Sequence, residues 1–555
     1  MLNKVYSIKN CNLRIECDNL EVFKRLENWM SMFDETLNTA ENYIKIQNNI
    51  IRVSYKDISF SSKLVISDLY PLLMNILSNI INDDLNVFIH STVISKNNKG
   101  ILLLGDFGQG KTTLSLFAQE YGYIIDSADY SWLEIKQDKL YLKKGSLYIK
   151  NDNDGYLLQA YNSKVQIVKI AFLYGLCDNG QFSESLINNK QHLIKKLFPF
   201  VNWHSNLPLM FDEIELKSNN HFIKLFLAKI VEYDISFSIV RGDLLSVVNN
   251  FNNFLFNIDD EYDLLFIKGL EHQDKELLKK IPKADCHVHG ALGCKNFKNL
   301  YIFDRFDGYK EMKENINKFI NPSIKNESDY FSFLYHTVMT AIDEGVSILE
   351  MSIDIRYYDY FHSLNSFLER LETLKDKRII LKFDIGISKS TKPDKFQIIF
   401  EMIKSHFFSG IDLYGDDSNE DFEKFLPVYK CAKKYHLKRK VHVGEFLNSS
   451  HISKALVLNP IDIQHGINII NEKNVNFNNL KFNVSLSSNY KLGSIKELSL
   501  HPIFEMYNKG MKVSLNTDDI LLFGNDINDE YLLLYNLNKL SAEEINYIRK
   551  NGLYF

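Results

Sequence analysis

From residue 283 onward the chain repeats one unit eight times, a short apolar run of strand type followed by a longer stretch with helical spacing. The runs cover residues 284–289, 346–354, 379–387, 411–415, 440–444, 461–465, 482–487 and 512–516, and helical stretches such as 331–344, 364–377, 396–408 and 422–435 lie between them. Apolar runs this short, bounded by turns, read as strands. Strands that alternate with helices demand parallel pairing through right-handed crossovers, and eight such units close on themselves as a (β/α)8 TIM barrel. The fold class is therefore α/β, with a barrel over residues 271–555.

The polar residues of this half sit where strands end. His287 and His289, in Ile-Pro-Lys-Ala-Asp-Cys-His-Val-His (residues 281–289), are two apart and point to one face of an extended strand. His442 ends the fifth run and Asp518 follows the eighth, which neighbours the first in a closed barrel. Three imidazoles and one carboxylate suit zinc and leave a position for water. Glu445, three residues after His442, is placed to give and take a proton without being a ligand. His465, ending the sixth run, is placed to hold or to deprotonate the water. Cys286 faces away from this site and reads as a packing residue.

Composition narrows the functional classes. A formal net charge of -5 gives no electrostatic footprint for bulk nucleic acid. No charge-free apolar run approaches the length of a membrane span and the start has no signal core, so a cytoplasmic location without membrane attachment is expected. Six cysteines, with no Cys-x-x-Cys pair, point neither to a disulfide framework nor to a thiolate zinc site.

The second half resembles the adenosine deaminase family along nearly its whole length. The matching residues are Pro282-Lys283 with His287-Val288-His289, Asp412-Leu413-Tyr414-Gly415-Asp416, His442-Val443-Gly444-Glu445, His465-Gly466, Ser488-Asn489, His501-Pro502 and Thr517-Asp518-Asp519. The resemblance implies zinc on His287, His289, His442 and Asp518, with Glu445 protonating purine N1 and His465 orienting the attacking hydroxide. It further implies that Asp519 bonds N7 and the backbone of Gly415 bonds N3, with ammonia and a 6-oxo purine as products. The other zinc deaminase signature, His-x-Glu with Pro-Cys-x-x-Cys, is absent. One departure concerns the sugar: adenosine-specific members carry an acidic residue two positions after the second His, to bind the 5′ hydroxyl, and this chain has Ala291 there.

The first half contains Gly105-Asp106-Phe107-Gly108-Gln109-Gly110-Lys111-Thr112, a match to Gly-x-x-x-x-Gly-Lys-Ser/Thr between a strand candidate (100–104) and a helix candidate (112–121). Gly105, Gly108 and Gly110 let backbone N–H groups turn toward a phosphate, Lys111 adds a point charge, and the hydroxyl of Thr112, followed by Thr113, can join a magnesium shell. The next strand candidate, 122–129, ends in carboxylates, one of which could hold the ion opposite Thr112. With His90, on a strand candidate over 86–94, these features resemble the HPr-kinase-like P-loop family. That resemblance implies ATP with magnesium at His90, Lys111, Thr112 and Asp129. The family often has two adjacent aspartates where this chain has Ala128-Asp129. Shorter β-type pieces (44–47, 51–55, 139–144, 164–175) and helical ones (69–81, 187–198, 244–256) complete an expected α/β nucleotide-binding domain over residues 1–262, and the polar residues 257–261 read as a linker.

The leading reading is a two-domain enzyme: an ATP-binding P-loop domain that phosphorylates a substrate or regulates its partner, then a zinc-dependent deaminase of an adenine nucleoside or nucleotide. The alternatives are a P-loop kinase with the barrel as a binding module, and an ATP-sensing, nucleotide-depleting defence protein. The oligomeric state is left open.

Overall fold

The computed structural model describes the chain except residues 56–57, 107, 150–154, 159–163, 177–181, 202–219, 259–260, 296–303, 419–420, 447–449 and 473–475. Two compact units result, one of Met1–Ala118 with Tyr123–Asn250 and one of Phe251–Phe555 with Gln119–Gly122. The expected linker falls partly on residues 259–260, outside the described ones; the helices Leu244–Asn257 and Glu261–Glu271 flank it. Among the described residues no helix is long and apolar enough to cross a membrane.

In the second unit all eight expected strands are present: β1 (Lys283–His289), β2 (Val346–Asp354), β3 (Ile380–Ser388), β4 (Gly410–Tyr414), β5 (Lys438–Val443), β6 (Asp462–His465), β7 (Lys481–Val484) and β8 (Lys512–Leu515). They pair in chain order, every pair parallel. The connecting helices follow from apolar spacing and caps. In Glu327–Asp343, Tyr330, Phe333, Leu334, Thr337, Val338 and Ala341 form one buried face, and the Asn326 side chain accepts the N–H of Asp329 at the first turn. The turn into β2 passes through Gly345 at φ +73°, where a Cβ would lie 1.7 Å from the carbonyl oxygen of Lys279. Only glycine fits there.

The seam between β8 and β1 closes by other means. Only one bridge joins them, Val288 with Asp518, where the Asp518 N–H donates to the His287 carbonyl at 2.9 Å. Below it side chains replace the missing ladder: Asn516 Oδ1 accepts the Cys286 N–H at 2.8 Å, and Thr517 donates to Asp285 through its N–H (3.2 Å) and hydroxyl (2.6 Å). Strand edges buried without such partners would leave polar groups unpaired.

The barrel interior carries an ionic layer as well as apolar filling. Glu350 lies 2.7 Å from Lys440 and 3.1 Å from Lys438; Asp384 pairs with Lys440 at 2.6 Å and Asp462 with Lys438 at 2.9 Å. All are buried. Burial alone would raise the Glu350 carboxyl, but Lys438, Lys440, Lys481 and Lys382 hold it well below the usual range.

The first unit holds two large sheets. One runs in the order Asp34–Glu35, Leu2–Ile8, Cys11–Cys17, Asn42–Gln47, Ile50–Tyr55 and Ile58–Lys63, and shares an apolar cluster with the helices Leu20–Met30 and Ile66–Ile81. The other has nine strands, with Lys99–Leu104, Val165–Leu176 and Ser236–Gly242 adjacent and parallel. The single strand expected over 86–94 is in fact two, Asn86–His90 and Thr92–Lys96. The first pairs with Tyr130–Lys136 and the second with Lys99–Leu104, and at Ser91 the chain changes partners while its N–H reaches the Asp129 carbonyl at 3.0 Å. Both pieces are fully buried, and the division falls within the polar residues His90-Ser91-Thr92.

Candidate active site

The C-terminal ends of the barrel strands bring the expected residues together. One ligand atom from each of His287, His289 and His442 falls within a 4.8 Å cluster, as does one from each of His287, His465 and Asp518, and one from each of His289, Asp518 and Asp519. Nε2 of His287 stands 3.4 Å and Nε2 of His289 3.6 Å from Asp518 Oδ1. β1 ends in alternation, so Asp285, His287 and His289 share the inner face while the Cys286 thiol faces the Gly552 carbonyl, 3.7 Å away.

These residues suit a cation. Burial, and then the neighbouring rings, hold the His287 imidazole well below its usual range, and burial with His442 beside it takes His289 down to about 3. Both are neutral ligands at neutral pH. Nε2 of His287 is buried with no hydrogen-bond partner, and burial raises the Asp518 carboxyl to about 6 even though Ser488 donates to it at 2.6 Å. Neutral imidazoles converging on a desolvated carboxylate are the donor set of a zinc or similar divalent site.

Around this cluster stand groups that move or hold protons. Glu445 is buried; desolvation, then the charges of Asp518 and Asp417, push its carboxyl well above the usual range despite donors at Asn489 and Ser494. Asp519 is raised likewise by burial, Asp518 and Glu445, and its Oδ1 has no partner. Both shifts favour the protonated acid over the carboxylate. Nε2 of His465 lies 3.5 Å from Glu445 Oε2 and 3.9 Å from Asp518 Oδ2. A cavity of about 450 Å³ opens onto His289, His442, Glu445, His465, Asp518 and Asp519, and reaches Gly415 and Ala291. Lys295, four residues past Ala291, is absent from that lining and donates to Asp526 at 2.7 Å.

Two further carboxylates carry no role in the sequence reading. Asp412 lies 3.1 Å from His442 Nε2 and so orients that ring. Asp417 accepts the N–H groups of Gly444 (3.3 Å), Glu445 (3.1 Å) and Phe446 (3.1 Å), and pins the turn that carries Glu445. The run Gly415-Asp416-Asp417 after β4 was the available signal.

In the first unit the loop of residues 105–112 joins strand Lys99–Leu104 to helix Lys111–Gln119; Phe107 lies outside the described residues. Gly108 (φ +77°) and Gly110 (φ +85°) take conformations that favour glycine, and Lys111 Nζ donates to the Gly105 carbonyl at 2.6 Å. A cavity of about 390 Å³ is lined by Gly108, Gly110, Lys111, Thr112, Thr113, His90 and Asp129; Gly105 is not part of its lining. His90 Nε2 lies 3.2 Å from Asp129 Oδ1, and the Tyr70 hydroxyl donates to the other oxygen.

An eight-stranded parallel barrel with a histidine and carboxylate cluster at the C-terminal mouth defines the second unit as a barrel hydrolase. Residues 373–554 match the model of the family described as adenosine deaminase. A Treponema pallidum protein assigned as an adenosine/adenine deaminase is 34% identical over 271 residues, which are 45% of this chain and 89% of the relative. The adenosine deaminase of Plasmodium gallinaceum is 26% identical over 316 residues, 49% of this chain and 86% of the relative. The crystal structure of an adenine deaminase from Arthrobacter aurescens is 20% identical, with a TM-score of 0.44, and covers 49% of this chain and 92% of that one. The chain belongs to the adenosine deaminase family of hydrolytic deaminases.

Proposed function

We propose that the barrel is a zinc-dependent aminohydrolase that replaces the 6-amino group of an adenine nucleoside or nucleotide by oxygen and releases ammonia. The observation that carries this reading is a pair of overlapping clusters at the barrel mouth, His287 with His289 and His442, and His289 with Asp518 and Asp519, beside the buried acid Glu445. Zinc held by those four residues would supply the Lewis acidity that makes water a nucleophile near neutral pH.

The chain's own residues supply the rest. Glu445, protonated because it is desolvated, donates to purine N1 as the ring accepts charge. Asp519, protonated for the same reason, donates to N7. The Gly415 backbone, at φ +117° on the cavity wall, faces N3, and His465 orients the attacking oxygen. Glu445, His465 and Asp519 are buried, which strengthens each of these interactions.

The 5′ group of the substrate is read from Ala291, which lines the same cavity. An acidic side chain there would repel a 5′ phosphate by about 4 kcal/mol at about 4 Å and an effective dielectric near 20. Alanine removes that repulsion together with a hydrogen bond to a free hydroxyl, so a 5′-modified or phosphorylated adenine compound is the better substrate. The test compares kcat/KM for adenosine, its 5′-deoxy analogue and its mono-, di- and triphosphates in wild type and Ala291→Asp. Wild type should favour a modified compound and the variant should shift toward adenosine; a wild type preferring adenosine over all of them contradicts the substrate reading.

For the first unit the proposal is ATP binding with magnesium at residues 105–112, supported by the two glycine conformations, the inward Lys111 and the cavity they share with Thr112 and Thr113. His90 and Tyr70 engage both oxygens of Asp129, which favours nucleotide binding over phosphoryl transfer as its role.

A further inference from the structure

Behind the proton-handling groups runs a chain of hydrogen bonds whose polarity can be fixed from one end. It starts at the backbone of Ile503, the first residue of helix Ile503–Asn508. A backbone N–H can only donate, and this one reaches His501 Nδ1 at 3.0 Å. His501 is buried, and burial alone takes its imidazole down to about 3, so the ring is neutral. A neutral imidazole that accepts at Nδ1 carries its single proton on Nε2. That proton points along the 3.2 Å contact to the Asn489 side-chain oxygen.

The orientation of the Asn489 amide follows. Its oxygen is taken by His501, so its nitrogen faces the other way, with two hydrogens and two partners: Glu445 Oε1 at 2.9 Å and His465 Nδ1 at 3.1 Å. Asn489 is completely buried, so no solvent competes for either hydrogen. His465 therefore accepts at Nδ1, and its proton sits on Nε2, the nitrogen 3.5 Å from Glu445 Oε2 and 3.9 Å from Asp518 Oδ2. Glu445 Oε1 also receives the Ser494 hydroxyl at 3.4 Å. With two donors on Oε1, the acidic proton of Glu445 belongs on Oε2.

We propose that Asn489, braced by His501, is a positioning residue that fixes the tautomer of His465 and the protonated oxygen of Glu445 at once. This rests on the deaminase reading for its consequence in turnover, though the hydrogen-bond polarity stands without it. The chemical consequence decides between the two roles the sequence left open for His465. With Nε2 protonated, that nitrogen is a hydrogen-bond donor that orients the attacking oxygen, and it is not available to take the oxygen's proton. A mere packing role for Asn489 would predict no such division of labour.

Three measurements test this on the full-length protein. In histidine-labelled wild type, the 15N spectrum, with His465 assigned by its loss in His465→Gln, should show Nε2 protonated and Nδ1 bare; the opposite tautomer overturns the proposal whatever the enzyme does. Asn489→Asp keeps the shape and the acceptor for His501 but loses both donors. It should lower kcat about 100-fold while KM and zinc content stay near wild type, as expected when one preorganised donor is removed. His501→Leu should lower kcat about tenfold, and His501→Gln, whose amide can still donate to Asn489, should recover most of that loss. Turnover in Asn489→Asp equal to wild type, or no difference between the two His501 variants, contradicts the positioning role. A wild type that shows the expected tautomer yet deaminates nothing would defeat the deaminase reading and leave the hydrogen-bond chain intact.

Discussion

Glu445 shows how environment makes one carboxyl into an acid. It is desolvated, it faces the charges of Asp518 and Asp417, and these effects outweigh the donors at Asn489 and Ser494. A group that works protonated and whose folded pKa is raised keeps its function below that pKa and loses it as pH rises through it. The descending limb of the kcat profile should therefore lie at distinctly higher pH than the ordinary carboxyl range, about 4 to 5. A descending limb centred near the ordinary value would show that Glu445 is not the desolvated acid described. The sequence marked Glu445 through its spacing from His442, and marked the ligands through their places at strand ends. It could not mark Asp417, which acts through backbone N–H groups 27 to 29 residues further along the chain. Asn489 and His501 stand in the motifs Ser488-Asn489 and His501-Pro502, but their joint role depends on contacts that no local pattern encodes.

At the scale of elements, the eight barrel strands were legible because each is an apolar run bounded by turns. Their pairing order followed from the crossovers. The ionic layer was not legible. Lys382 and Asp384 alternate with apolar residues in β3, and β5 opens on the charged run Lys438-Arg439-Lys440, patterns that also describe strands with one face in water. Only closure of the barrel turns that face inward and makes Glu350 the carboxylate between Lys438 and Lys440. Breaking such a network by removing one partner leaves buried charge uncompensated. Glu350→Leu should cost about 3–5 kcal/mol in stability by denaturant unfolding. An unchanged unfolding midpoint would mean that the lysines find other partners and that the layer is dispensable. In the first unit, the division at Ser91 lies within the polar triplet His90-Ser91-Thr92, but such a triplet also fits inside one strand, and only the change of sheet partner separates the two pieces.

At the scale of the whole molecule, the chain joins a deaminase barrel to a second unit with its own sheets and core clusters. Separate cores make independent binding the default. Lys111→Ala should weaken ATP binding, measured by equilibrium titration of the full-length protein, by at least about tenfold, because it removes a cation that lines the cavity, and should leave zinc content unchanged. Equal ATP affinity in the variant would remove the phosphate-cradle reading. The assignment of the four proposed ligands and of the acid beside them is tested by one paired measurement: zinc content and ammonia release from an adenine nucleotide, in wild type, His442→Ala and Glu445→Gln. Wild type should carry about one zinc per chain and release ammonia; His442→Ala should lose both metal and turnover, whereas Glu445→Gln should keep the metal and lose about 100-fold or more in kcat. Full turnover in Glu445→Gln, or undiminished zinc in His442→Ala, would contradict it.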